Sequence, residues 1–183
     1  MKTFFFKKNL KRVLQQEQRL RKFVNYANAQ RILLLYQCGI TKNKVVKAII
    51  EQLEADGKIV EAYCYSNAKK TEETESNKVF LIDNKSLNFL GKPNSKVLDK
   101  IGEQHYDLLI DLSLTDCYPL LYLALYSRAT MKAGTNADNS VIFDFIIDKR
   151  SLINNDLPQQ QNLNENILFD KIIFYLKNIQ TND

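Results

Sequence analysis

Two short polar stretches hold the side chains best suited to binding chemistry. The first is Gln37-Cys38-Gly39-Ile40-Thr41-Lys42-Asn43, between an apolar run and a helical pattern. Thr41 and Asn43 are natural helix caps, and the free N–H groups of a helix start attract anions. Lys42 and Lys44 would help to hold a phosphate. An ordinary connector whose Gly39 only makes the turn has the same composition. The chain has neither the G-x-G-x-x-G fingerprint nor the G-x-x-x-x-G-K-[ST] loop. The second stretch is Asp111-Leu112-Ser113-Leu114-Thr115-Asp116-Cys117. Ser113, Thr115 and Asp116 suit a ribose or sugar hydroxyl, although capping of the next helix accounts for Thr115 or Asp116 without a ligand. Gly39, Thr41, Lys42, Asn43, Ser113, Thr115 and Asp116 thus make the candidate set for a small anionic ligand, a nucleotide or a sugar phosphate.

Other chemistry finds little support. His105 is the chain's one histidine and has no acid–nucleophile pattern around it. Cys38, Cys64 and Cys117 are odd in number and widely spaced, which suits neither a metal site nor a disulfide framework. Cys117 opens a helix, a position that can lower a thiol pKa, but a buried, inert thiol is the default. No catalytic residue, metal or cofactor is implied.

These loops need elements to position them. Tyr106-Asp107-Leu108-Leu109-Ile110-Asp111-Leu112 reads as a buried parallel strand that delivers its exit loop to the rim of an α/β sheet, where such sheets bind ligands. Asp111 inside that apolar run must find a partner or sit at the sheet's end. Strands are also expected at 31–36, 58–65, 78–82, 131–134 and 141–147. Helices are expected at 43–55, 96–104, 118–128 and 165–179. Asp56-Gly57 stops the first of these, and Pro119 fits the first turn of the third. Polar loops are expected over 66–77 and 154–166. The β–α alternation predicts a three-layer sandwich around a mostly parallel sheet, with Thr41 and Thr115 on a common rim.

At 183 residues, with 45% apolar and 26% charged side chains, the chain suits one globular domain. No apolar run approaches the ~20 residues of a membrane span, and lysines end the Phe4-Phe5-Phe6 run too early for a signal peptide. A reducing cytoplasm is the expected compartment. The net charge of +5 is unevenly spread. Residues 1–22 carry eight cations against Glu17, a balance of +7, so the remainder carries −2. Phe6, Leu10, Val13, Leu20, Val24 and Ala27 recur at helical spacing, predicting an amphipathic basic helix over 1–28, packed on or beside a body of residues 29–183. Its cations, Lys7, Lys8, Lys11, Arg12, Arg19 and Lys22, are either a solvated face or a contact for nucleic acid, a ribosome, another protein or anionic lipid. Aromatic residues for stacking are not expected on that face.

The run Tyr106 to Leu112, the helix around Leu120-Leu121-Tyr122-Leu123-Ala124 and then Met131-Lys132-Ala133-Gly134 resembles a segment of heptosyltransferase-type (family 9) glycosyltransferases. Arg31 to Leu53 is similar to that family's opening strand, loop and helix. The whole arrangement also resembles a small bacterial family of uncharacterised proteins. The resemblance spans about Arg31 to Ile147 and implies a Rossmann-like domain equivalent to the acceptor-side half of a two-domain transferase. That family's first loop carries a Gly-Asp pair whose aspartate looks like the catalytic base. Here the stretch is Ile40-Thr41-Lys42-Asn43, with no carboxylate. The donor-binding second domain has no room in this sequence. A base must activate the acceptor hydroxyl and a donor must lie beside it, so transfer by this chain alone is not expected. A split transferase with its donor domain on another chain is the remaining form of that reading.

Overall fold

Five consecutive residues, Ile32 to Tyr36, are buried in β1 (Arg31–Gln37), as a strand covered on both faces requires. Ile32, Leu34 and Tyr36 enter one core, Leu33 and Leu35 the other. The computed structural model describes residues 2–16, 19–67, 78–135, 140–152 and 164–179. Around β1 it arranges α1 (Lys2–Gln16), α2 (Ile40–Ala55), β2 (Ile59–Tyr65), β3 (Val79–Ile82), α3 (Ser95–Glu103), β4 (Leu108–Asp111), α4 (Tyr118–Tyr126), β5 (Met131–Gly134), β6 (Phe145–Ile146) and α5 (Glu165–Asn178).

The sheet order is β3-β2-β1-β4-β5-β6, and every neighbouring pair is parallel. This is the doubly wound Rossmann-like order, with the direction of winding reversing between β1 and β4. Helices α2 and α5 cover one face, while α1, α3 and α4 cover the other. Helix α4 is apolar almost throughout and buried from Pro119 to Leu125, because it lies between the sheet and both α1 and α3. Two glycines meet local needs, one of the backbone and one of packing. Gly57 takes φ +77° after α2, and a Cβ on Gly134 would come within 3.0 Å of the Phe143 ring.

Three expectations change. The N-terminal helix stops at Gln16 instead of running to residue 28. Leu20, assigned to its apolar stripe, is 77% exposed. Phe23 and Val24 instead pack into the core on the opposite face from Phe6. The chain crosses between faces beside the start of β5, with Lys22 N–H donating to Thr130 O at 3.5 Å and Tyr26 N–H to Leu176 O at 3.0 Å. One straight helix could not serve both cores. The second change is α2, which begins at Ile40 with Gly39 as its N-cap residue, so Thr41 and Asn43 lie inside its first turn and do not cap it. The third is the last strand, which shrinks to Phe145–Ile146. The expected loop at 66–77 lies outside the described residues from 68 onward, as does 154–163 of the later one.

Side-chain caps occur elsewhere. Asn94 Oδ1 accepts from Val97 N–H at 3.1 Å, and Asn164 Oδ1 from Ile167 N–H at 3.0 Å. Asn94→Ala and Asn164→Ala should each cost about 1 kcal/mol, adding in the double variant because the caps share no partner. Urea denaturation checks this.

Candidate functional site

Because all six strands run the same way, their carboxyl ends share one rim. Thr41 and Thr115 both follow strands that end there. At the switch point between β1 and β4, however, several of the candidate residues are engaged with other groups of the chain. Gln37 Nε2 donates to Thr115 O at 3.3 Å and lies 3.1 Å from Thr115 Oγ1, bridging the two loops. Lys42 Nζ stands 3.0 Å from Glu165 Oε1, at an angle too poor for a hydrogen bond. Glu165 is nearly buried, so a carboxylate of this chain already occupies the cation proposed for a phosphate. Asn43 Oδ1 accepts from Gly39 N–H at 3.4 Å. Thr41 and Asp116 are exposed, and Ser113 is buried. Neither Thr115 nor Asp116 caps α4, whose N-cap position is Cys117.

Asp111 is at the end of its strand and buried. Its Oδ1 accepts from Ser113 N–H at 2.9 Å, which folds the chain over the strand end, and Thr135 Oγ1 donates to Ser113 O at 3.0 Å. Burial pushes the Asp111 carboxyl up to about 6, offset only in part by Ser113 and the Lys149 ammonium. The hydrogen bond with Cys38 lowers the buried Cys64 thiol, whereas the two thiols nearest the rim loops are raised. Burial raises Cys117 to about 11, and Cys38 is raised by its hydrogen bond to Cys64 and then by burial. His105 is at the amino end of β4, 3.7 Å from Asp107 and largely exposed, on the opposite edge from these loops. Among the described residues no group of three or more His, Cys, Asp or Glu could hold a metal.

Open space on the rim lies on the other side of β1. A cavity of about 290 Å³ is lined by Tyr65, Asn84, Leu87, Phe89, Tyr118 and Pro119, among others, where β2 ends and α4 begins. Tyr65 Oη donates to Asn84 Oδ1 at 2.9 Å. Tyr118 Oη and Thr3 Oγ1 are 2.8 Å apart, so the start of α1 abuts the cup. The loop carrying Phe89 is closed on itself. Asn88 Oδ1 accepts from Leu90 and Lys92 N–H at 3.0 Å each, and Leu87 bridges Pro93. That bonded loop holds Phe89 82% exposed. Sequence reading missed these residues. The one local signal was Phe89-Leu90, an apolar pair inside the turn chemistry of Asn88 and Gly91.

The model of a family of unknown function, DUF6913, matches residues 2–179. The chain belongs to that family. This bears out the expected kinship with an uncharacterised family. No curated protein matches the chain. Among solved structures, a glycosyl transferase family 9 protein from Veillonella parvula DSM 2008 is similar at a TM-score of 0.48 and 10% identity, covering 87% of this chain. The chain spans 43% of that protein's length. Among the described residues no helix is long and apolar enough to cross a membrane.

Proposed function

We propose that this protein is a binding domain and not a catalyst, and that its ligand is a small, ring-bearing polar molecule, a nucleoside or sugar derivative, held at the carboxyl edge of the sheet. The aromatic cup carries this reading. Tyr65, Phe89 and Tyr118 line it with aromatic rings, and the Asn84 amide keeps its NH2 group for donation while its oxygen is occupied by Tyr65. Aromatic surface with a few placed polar groups suits small-molecule binding. The reactive side chains nearby favour binding over chemistry. Lys42 is paired with Glu165, Thr115 is bonded to Gln37, and the Cys117 thiol stays protonated at neutral pH.

Saturation-transfer NMR against nucleoside monophosphates, sugar phosphates and nucleotide sugars tests the proposal. At least one class should give contacts, and Phe89→Ala should weaken them about tenfold or more. Because Phe89 is so exposed, that variant should melt within about 0.5 kcal/mol of the parent stability. Silence across the panel at millimolar ligand, or unchanged binding by Phe89→Ala, would remove the support.

A further inference from the structure

Helix α1 presents one side to solvent and another to the body. Phe6, Leu10, Val13 and Leu14 pack into the core around α4, while Lys7, Lys8, Lys11 and Arg12 are exposed. The helix contains no acidic residue. Among the described residues none of these four cations is ion-paired, and Arg12 donates only to Asn9 Oδ1, at 3.2 Å. Arg12 also lines a groove that holds Asp99 and Glu103, so the three lysines form the strongest part of the row. Phe4 is 69% exposed and lies three or four residues before Lys7 and Lys8, on their side of the helix. The charged face therefore does carry an aromatic, contrary to the sequence expectation.

We propose that this face binds single-stranded nucleic acid, with the lysines on successive phosphates and Phe4 stacking on an unpaired base. Lys7 and Lys11 stand about 6 Å apart along the helix axis, close enough to serve neighbouring phosphates of an extended strand. Base stacking on an aromatic beside a cationic track is how single strands are held without sequence preference. A duplex would leave Phe4 no open base. A membrane fits less well, because an interfacial helix sinks its apolar stripe into lipid and here that stripe is spent on α4. The remainder of the chain carries −2, so the positive field is local to the N-terminal segment. This surface shares no residue with the aromatic cup that Thr3 abuts, and it goes beyond the small-ligand reading.

Fluorescence anisotropy of the full chain with labelled oligo-uridylate of about 20 nucleotides, longer than one small domain's site, provides the test. Between about 50 and 200 mM KCl, log K should fall against log salt with a slope of about −2 to −3, three or four phosphates at ~0.7 each. The combined variant Lys7→Gln, Lys8→Gln, Lys11→Gln should lose about 2 from that slope. Phe4→Ala should weaken binding roughly tenfold and leave the slope unchanged. Circular dichroism melting of each variant confirms that α1 still docks. Phe89→Ala should bind the RNA like the parent, which separates this surface from the cup. No binding at low salt, an unchanged slope in the triple variant, or co-sedimentation with phosphatidylserine vesicles by protein that ignores RNA would overturn the proposal.

Discussion

Arg19→Ala is expected to cost the fold about 2–3 kcal/mol, the range for losing charge-assisted hydrogen bonds from a buried side chain. The Arg19 side chain is 1% exposed. Its guanidinium forks onto Asp144, Nη1 to Oδ2 at 2.6 Å and Nη2 to Oδ1 at 2.9 Å, and Nη1 also donates to Ala129 O and Thr130 O. The same carboxylate accepts from Lys132 N–H at 2.9 Å. One side chain thus ties the crossing segment after α1 to the start of β5 and the approach to β6. Removing it takes the guanidinium donors from Ala129 O, Thr130 O and Asp144 and leaves Asp144 with Lys132 N–H and, at 3.7 Å, Arg21. Arg19→Lys should recover less than half of the loss, because an ammonium cannot reproduce the planar fork. Guanidinium denaturation measures both, and a loss under about 1 kcal/mol for Arg19→Ala would show the pair to be solvated. Arg19 therefore serves the fold, whereas Lys7, Lys8 and Lys11 on α1 are exposed.

Asp111→Asn should stabilise the protein at neutral pH by up to about 3 kcal/mol. Burial raises this carboxyl from 3.8 to about 6, so the folded state holds the proton more tightly than the unfolded chain does. A raised acid contributes most to stability when protonated. Its contribution is complete below the unfolded pKa, falls as pH rises from about 4 to 6, and is absent above. Two pKa units correspond to about 3 kcal/mol at most. Asparagine keeps the oxygen that accepts from Ser113 N–H and sheds the buried charge. The advantage of Asp111→Asn over the parent should therefore vanish near pH 4 and grow to a plateau above about pH 6. Thermal melts at several pH values would decide it, and an advantage independent of pH would show that charge burial is not the cause.

Particular elements show how far local pattern carried. The continuous apolar run of β1, the Asp56-Gly57 stop and Pro119 at the start of α4 each appear in the structure as read, because each expresses a backbone preference or a period within a few residues. Asn94 and Asn164 cap their helices, whereas Thr41, Asn43, Thr115 and Asp116 do not, since the chain turns into α2 and α4 through Gly39 and Cys117. Of the seven residues suggested for a ligand, Gly39, Thr41, Lys42 and Asn43 stand at the start of α2 and Ser113, Thr115 and Asp116 in the loop after β4. What they touch there was not legible. Lys42 meets a glutamate from the last helix, and Thr115 meets Gln37 across 78 positions of sequence. The aromatic cup was invisible for the same reason, its rings coming from β2, the loop after β3 and α4.

By itself, the order of apolar runs and turns determined a parallel α/β sheet, its helices and a charge concentrated at one end, because hydrophobic periodicity and turn chemistry are local. The tertiary structure decided which polar groups are spent on each other and which stay open. Arg19 finds its partner 125 residues away and is withdrawn from the surface, while Lys7, Lys8 and Lys11 remain outside. Pairing of that kind depends on which surfaces the packed layers bring within a few ångströms, and no window of sequence contains both members.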